Sequence, residues 1–384
     1  MTARWVLLIL LAISVATLIA CSQQSETPSS DHEIRIGVIV SLSGDNADLG
    51  RATINSAQLV VQETNAAGGL EVGKQRYDVV LLSADDHDEV DAAVNAARKL
   101  IYQDDVVVIV GPQMSRNAIP VAKFVEVAHI PMISPRSTNP ETTAGKRYVF
   151  RSTFLDTFQG SVLARFAFED LGARRAAVLY DIASPYNRGL AEVFQQVFVA
   201  AGGQMVAQES YTTGEQDFKS QLTKIRDRNP DVLFLPNYEY EVPIQAQQAR
   251  QLGIKATLLG ADAWGSLEED NRHHLNGSFF SDQYAPDSTN EKNQAFIRRY
   301  RQAYGQDPNA AAAVTYDSFK LLFQAIQNQG KADPESIRQG LSEIEQYDGV
   351  AGIIKYQDTG DPLVSLVILQ VKGDRSTVYK RFDP

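Results

Sequence analysis

From Ile34 onward, short apolar runs alternate with longer stretches of helical periodicity, and this alternation limits the fold more than any single motif does. Strand-like segments are read at Ile34–Leu42, Tyr77–Ser83, Val106–Val110, Ile130–Ile133, Ala176–Tyr180, Val232–Leu235, Thr257–Leu259 and Gly277–Ser281. Helix-like segments are read at Arg51–Asn65, Val90–Tyr102, Ile119–Ala128, Phe158–Leu171, Arg188–Ala200, Phe218–Asp227, Val242–Leu252, Asn293–Tyr304, Ala310–Gln327 and Pro334–Leu341. Two strand-like stretches, Gly352–Tyr356 and Leu363–Val371, close the chain. Repeated strand–helix units build a parallel sheet with helices on both faces. About 350 residues of this pattern exceed what one hydrophobic core supports, so length predicts two lobes.

Two of these strands end in notable loops. Val106–Val110 runs into Gly111-Pro112-Gln113-Met114-Ser115-Arg116-Asn117, and Ile130–Ile133 into Ser134-Pro135-Arg136-Ser137-Thr138-Asn139-Pro140. In open parallel sheets ligands bind beyond the carboxyl ends of the strands, where loops lead into helix N-termini. The loops carry hydrogen-bond donors and almost no catalytic equipment, which points to binding.

The N-terminus is of a different kind. Arg4 precedes an apolar run from Trp5 to Ile19, shorter than the ~20 residues of a membrane span and suited to a secretory signal. The run ends in Leu18-Ile19-Ala20-Cys21, which resembles a bacterial lipobox with Cys21 as the lipidated first residue of the mature chain. Cys21 is the only cysteine, so it has no partner for an internal disulfide. The polar stretch that follows, Ser22 to Asp31, reads as a flexible tether. A lipid and a tether hold a soluble body at a membrane without inserting it. The net charge of −11 argues against a nucleic-acid partner, which requires a basic stripe.

Several motifs reduce to ordinary structure. Gly68-Gly69-Leu70-Glu71-Val72-Gly73-Lys74-Gln75 imitates a phosphate loop, but Gln75 stands where Ser or Thr is required, and a helix precedes it. A helix cap leading into a hairpin explains it. The run Asp85-Asp86-His87-Asp88-Glu89 lacks the ligand spacing of a calcium loop, and carboxylates at a helix start are stabilised by its dipole. His273 and His274 are adjacent, so their side chains diverge. No Gly-x-Ser-x-Gly elbow occurs, and no metal, cofactor or catalytic group is expected.

The strand-end loops say more as a set. Ser41 and Ser43, Ser115, and Arg136-Ser137-Thr138 belong to the first half; Ser184 and Tyr186, Tyr238 and Glu239, and Asp262 with Trp264 belong to the second. One group offers hydroxyls and free backbone N–H groups, suited to a carboxylate. The other offers acid beside aromatic rings, suited to an ammonium. Facing each other, they would complement a zwitterion; taken singly, each Ser or Thr also serves as a helix cap and each ring as core.

These residues carry a resemblance to the type I periplasmic solute-binding proteins of the leucine/isoleucine/valine-binding kind. It rests on Ile36-Gly37-Val38 with Leu42-Ser43-Gly44, Asn65-Ala66-Ala67-Gly68-Gly69, Val110-Gly111-Pro112, Ile133-Ser134-Pro135, Ser137-Thr138-Asn139-Pro140, Phe150-Arg151, Gly260-Ala261-Asp262 and Asp358-Thr359-Gly360-Asp361. The resemblance implies an α/β clamshell of two Rossmann-like lobes joined by three crossover strands. Lobe 1 is expected over residues 34–156 and 286–366, and lobe 2 over 157–285 and 367–384. They follow a signal peptide over 1–20 and a tether over 21–33. Such proteins capture a solute by hinge closure and deliver it to an ABC permease. By the same likeness, Ser115 and Thr138 receive the ligand carboxylate, and the backbone at Arg136 together with Asp262 receives the ammonium. Tyr238 lies nearby and Tyr186 on the second lobe's rim.

The departures concern the side-chain pocket. Leu49 stands where the branched-chain binders place an aromatic, Arg136 replaces a small residue, Asp262 is shorter than the usual glutamate, and Trp264 is added. The expected ligand is therefore an α-amino acid or related zwitterion other than leucine. It would be held by Ser115, Arg136, Ser137, Thr138, Tyr186, Tyr238, Asp262 and Trp264. An inward Arg136 would suit an acidic side chain or a second carboxylate; an outward one would leave a neutral, partly aromatic pocket. The expected protein is a monomeric, lipid-anchored, extracytoplasmic importer subunit and not an enzyme. The alternatives are a receptor's ligand-sensing subunit on the same fold, or a binder of amides, urea derivatives or aromatic acids.

Overall fold

The computed structural model describes residues 32–384 except 268, 288, 289, 357 and 358. Cys21, the expected signal, residues 21–31 of the expected tether, and Asp358 lie outside the described residues; Glu33, the last residue of that tether, opens the first strand. Residues 34–384 form one unit, built on two large sheets.

The first sheet has the order β2-β3-β1-β4-β5-β6, with β1 Glu33–Val40, β2 Leu70–Val72, β3 Gln75–Asp85, β4 Val108–Val110, β5 Met132–Ser134 and β6 Val149–Arg151. The pairs β1–β4, β4–β5 and β5–β6 are parallel. Strands β4, β5 and β6 are buried throughout, which is why they read as unbroken apolar runs. The hairpin β2–β3 is antiparallel and starts just after the Gly68-Gly69 stop of helix α1 (Ala47–Ala66). Helices α2 (Val90–Tyr102) and α3 (Ser115–Ala128) cover one face through Ala97, Leu100, Ala122 and Val125, packed on Ile39, Ile109 and Met132.

After β6 the chain passes to a second sheet. Helix α4 (Asp156–Arg165), continued by a wider-wound turn Phe166–Asp170, leads to β7 (Arg175–Asp181). Then follow α5 (Pro185–Ala200), β8 (Gln204–Tyr211), α6 (Lys219–Asp227), β9 (Val232–Leu235), α7 (Val242–Gln251), β10 (Thr257–Gly260) and β11 (Phe279–Asp282). A second passage brings α8 (Glu291–Tyr304), α9 (Ala310–Gln329) and α10 (Pro334–Ser342), followed by a small antiparallel sheet, β12 (Tyr347–Asp348), β13 (Ile353–Tyr356) and β14 (Pro362–Val364). Helix α9 docks on α1, where Ser56 Oγ donates to the Ala312 carbonyl at 2.6 Å. A third passage, at Ser365, returns the chain as β15 (Leu366–Lys372) and β16 (Arg375–Phe382), giving the order β16-β15-β11-β10-β9-β7-β8. Three crossings between two parallel-rich sheets are the architecture expected from the sequence.

The differences from expectation have physical causes. Strands β8 and β16 end the second sheet and show little apolar alternation (Gln204–Tyr211 and Arg375–Phe382). Edge strands tolerate and use polar residues, so periodicity does not reveal them. The stretch Leu363–Val371 is two strands rather than one, because the chain changes sheets at Ser365. Helices α3 and α5 begin several residues earlier than their apolar periodicity, since their first turns are polar and face the cleft.

Candidate functional site

The cleft is assembled from strand ends. Strand β4 runs into Gly111, whose φ of +96° and approach to Ile39, where a Cβ would lie 2.2 Å from the carbonyl oxygen, leave room only for glycine. The chain turns there through a cis Gly111–Pro112 bond and enters α3 at Ser115. Met114, the residue before that helix, supplies no side-chain cap; its carbonyl takes the N–H groups of Asn117 and Ala118, which leaves those of Ser115 and Arg116 at the start of the helix without an intrahelical partner. The parallel loop after β5 is locked to this one. Ser134 Oγ donates to the Pro112 carbonyl at 2.9 Å and accepts from Ser137 N–H at 3.1 Å. Ser137 Oγ lies between Ser115 Oγ (2.9 Å) and Thr142 Oγ1 (2.7 Å).

Arg151, fully buried at the end of β6, holds this loop from behind. Its guanidinium donates to the carbonyls of Ser137 (2.6 Å) and Asn139 (2.9 Å), to Thr143 Oγ1 (2.6 Å) and to Asp361 Oδ1 (2.7 Å). Asp361 thus supplies the carboxylate that orients the arginine shaping residues 137–139.

The second sheet provides the opposing wall. Asp262, after β10, accepts at Oδ1 from the Tyr186 hydroxyl and from Gln159 Nε2, both at 2.8 Å. The rings of Tyr186 and Tyr238 stack with centroids 5.0 Å apart and an interplanar angle of 22°. Asn237, just before Tyr238, is fixed by bonds to the Leu179 carbonyl, Gln245 and Asn187. Between the walls lies a small cavity of about 10 Å³, bordered by Leu49, Gln113, Met114, Ser115, Arg136, Tyr186, Tyr238, Glu239, Asp262 and Ala263.

Arg136 points inward. Its guanidinium crosses to the second sheet's loops, donating to Ser266 Oγ at 3.0 Å and to the Asp262 carbonyl at 3.2 Å. It lies 3.7 Å from Glu239 and 3.8 Å from the Asp262 carboxylate. The cleft is therefore closed, with an arginine from one wall among the acids of the other. A second bridge runs along the rim: Arg116 pairs through both Nε and a terminal nitrogen with Asp88, donates to the Tyr240 hydroxyl at 3.3 Å and sits over the Tyr238 ring. The acidic run that begins at Asp85 organises this rim, since Asp86 accepts from Ser41 Oγ at 2.6 Å and from Asn117 Nδ2 at 3.2 Å.

Of the eight expected ligand residues, Ser115, Arg136, Tyr186, Tyr238 and Asp262 border the cavity together. Ser137 and Thr138 are buried behind it; the Thr138 carbonyl accepts from Asp156 N–H at 2.9 Å and its hydroxyl faces the Asp156 carboxyl. Trp264 is corrected: it lies in the second core, with Nε1 donating to the Leu235 carbonyl at 3.2 Å. Its ring occupies the space beside Gly260, where a Cβ would lie 2.1 Å away, so the indole supports the Asp262 turn and does not border the cavity. Glu239, read from the sequence among the acids and rings of the second half, also borders the cavity, as does Gln113; Gln113 and Gln159 are the polar partners the sequence reading does not single out. Glu239 follows Tyr238 directly and was readable as an acid at a strand end. Gln159 is an unremarkable polar residue in a helix, with no sequence signal.

Burial pushes several acids up. The Asp156 carboxyl rises to about 8 and Asp282 to about 7; away from the cleft, Asp317 and Glu241 rise to about 7. Desolvation is the leading cause in each. Between the ordinary value of 3.8 or 4.5 and the raised value, the folded protein binds more protons than the unfolded chain. Stability therefore falls as pH rises through that window. Asp333, held low by the Ser336 hydroxyl and N–H, acts in the opposite sense only below about 3.8. The melting temperature is expected to be higher at pH 5 than at pH 8 in differential scanning fluorimetry; a flat or opposite trend would contradict the burial of these acids.

Two parallel-rich lobes closing a donor-lined wall against an acid-and-aromatic wall define a two-lobed solute-binding protein. The comparisons agree. The family model described as "Periplasmic binding protein" matches residues 33–376. The Leu/Ile/Val-binding protein BraC3 of Rhizobium johnstonii is 29% identical over 90% of this chain and 93% of its own length. An amino acid binding protein of Pseudomonas aeruginosa is 27% identical over 97% of both chains. Among solved structures, the leucine binding protein LivK of Thermotoga maritima superposes with a TM-score of 0.86 at 30% identity, covering 91% of this chain and 99% of that one. LivJ of Streptococcus pneumoniae, solved with isoleucine, gives 0.84 at 28% identity, covering 92% and 100%. The chain belongs to the periplasmic binding protein family, of the leucine/isoleucine/valine-binding kind. Members of this family are extracytoplasmic solute-binding proteins, not enzymes. No helix of the described residues is long and apolar enough to cross a membrane.

Proposed function

We propose that this chain is the substrate-binding lipoprotein of an ABC importer and that it binds an α-amino acid or closely related zwitterion by closing its lobes. The observation that carries the reading is the opposition within one cavity. Ser115 and the first turn of α3 offer hydroxyl and N–H donors on one side; Asp262, Glu239 and the Tyr186–Tyr238 stack offer charge and ring faces on the other. A carboxylate fits the first and an ammonium the second. Ser137 and Thr138 back the carboxylate side. Relatives named for leucine, isoleucine and valine, and for amino acids generally, support the same class. The lobes divide at the borders 156/157, 285/286 and 366/367, and the protein works as a monomer beside its permease.

The direct test is calorimetry with free α-amino acids, their methyl esters and their N-acetyl derivatives. Free amino acids are expected to bind, and blocking either end should abolish binding. Equal binding of the blocked forms would refute the zwitterion reading. The anchor is tested separately. Incorporation of labelled fatty acid is expected in the unaltered protein and lost in Cys21→Ser; equal labelling of the two would refute lipidation at Cys21.

A further inference from the structure

The acid side of the cleft holds more negative charge than one ammonium requires. Asp262 already accepts from Tyr186 and Gln159 at one oxygen, and its other oxygen remains for a ligand nitrogen. Glu239 is a second acid on the same cavity. Its carboxylate is buried, and neither oxygen accepts a hydrogen bond from another described residue. The cation beside it, Arg136, stands at 3.7 Å, an ion-pair distance too long for a hydrogen bond. Arg136 in turn directs hydrogen bonds to two neutral oxygens, those of Ser266 and the Asp262 main chain, from a group with five N–H donors.

Buried acceptors and donors left unpaired are costly. Glu239 lacks donors and Arg136 has donors in excess, so the group between them must both donate and accept. Charge narrows the choice. The two side chains neutralise each other, so a charged ligand side chain of either sign would leave one charge uncompensated in a closed cleft. A hydrocarbon side chain would satisfy neither. Leu49 and Met114, which border the same cavity, offer contact for a short methylene stem.

We infer that Arg136 and Glu239 form the side-chain subsite and select an α-amino acid ending in a neutral carboxamide or ureido group. The ligand carbonyl oxygen accepts from Arg136, and its amide NH2 donates to Glu239. Asp262 keeps the α-ammonium, and the Ser115 wall keeps the carboxylate. This rests on the α-amino acid reading of the cleft and adds the chemistry of the side chain.

The test is calorimetric titration of the full-length mature protein with glutamine, asparagine, citrulline, glutamate, lysine and leucine. At least one of the first three is expected to bind tenfold or more tighter than each of the last three. Leucine, glutamate or lysine binding as tightly as the best carboxamide or ureido ligand would overturn the subsite while leaving the amino-acid reading intact. Failure of all six to bind would overturn both. The variant Glu239→Gln, checked by its melting temperature, removes the nearer of the two carboxylates beside Arg136 and leaves only Asp262, at 3.8 Å, which the ligand ammonium also uses. Its preference should move toward glutamate by tenfold or more relative to glutamine, and an unchanged order of preference would overturn the assignment. The titration of the unaltered protein decides the matter even if this variant does not fold.

Discussion

Asp262→Ala is expected to weaken ligand binding about a hundredfold or more in calorimetric titration, with a much smaller change in melting temperature. The carboxylate is the shared acceptor of the Tyr186 hydroxyl and Gln159 Nε2, and lies 3.8 Å from Arg136. Its removal takes away the ammonium partner and leaves the Tyr186 hydroxyl without its acceptor, while Gln159 keeps Ser281 Oγ and Arg136 keeps Ser266 Oγ and the main-chain carbonyl of residue 262. Truncating one partner of a buried, hydrogen-bonded charge pair costs about 2–5 kcal/mol, and each 1.4 kcal/mol is about tenfold in affinity. The loss falls on the bound state, because Asp262 lies at the cleft surface and the β10 strand is held from behind by Trp264. Affinity within threefold of the unaltered protein would refute Asp262 as the cation receptor.

The second large effect is on stability. Arg151→Ala is expected to lower stability by about 3–5 kcal/mol, the range for breaking a buried ion pair by removing one partner. In a chain of this size that corresponds to roughly 5–15 °C in melting temperature. The arginine is fully buried, and its loss leaves the Ser137 and Asn139 carbonyls, Thr143 Oγ1 and the Asp361 carboxylate without their donor. Those carbonyls belong to the loop that backs the cleft, so ligand affinity should fall as well. A melting temperature within about 2 °C of the unaltered protein would show that the loop holds its shape without Arg151.

How far the site was legible depends on what kind of signal each residue leaves. Ser115, Tyr186, Tyr238 and Asp262 stand directly after apolar strands, and a parallel sheet brings strand ends together; their meeting follows from the pattern. Arg136 sits in the same position, yet its direction depends on Ser266 and Asp262, more than a hundred residues away, and local sequence holds no trace of it. Trp264 misled for the opposite reason: a strand-end position suggests a ligand contact, but the space beside Gly260 draws the ring into the core. Gln159 reaches from a helix to the Asp262 carboxylate and Ser281 behind the cleft, and no periodicity marks it. Elements follow the same logic. Central strands such as β4 and β9 are apolar because both faces are covered, whereas β8 and β16 carry polar residues as edges. The starts of α3 and α5 were hidden because a helix turn that serves a ligand is polar.

The two arginines that bridge the lobes differ in where their counter-charges reside. Arg116 is paired with Asp88, and both belong to the first lobe, so parting from Tyr240 and the Tyr238 ring breaks one hydrogen bond and one cation–ring contact and separates no ion pair. Arg136 belongs to the first lobe, but its acids, Glu239 and Asp262, belong to the second. Opening the cleft therefore pulls unlike charges apart across water, and salt screens that step. The rim latch gives up no ion pair on opening, whereas the inner bridge does: Arg136 on one lobe and the acids Glu239 and Asp262 on the other are relieved only by each other, or by an occupant of the right polarity.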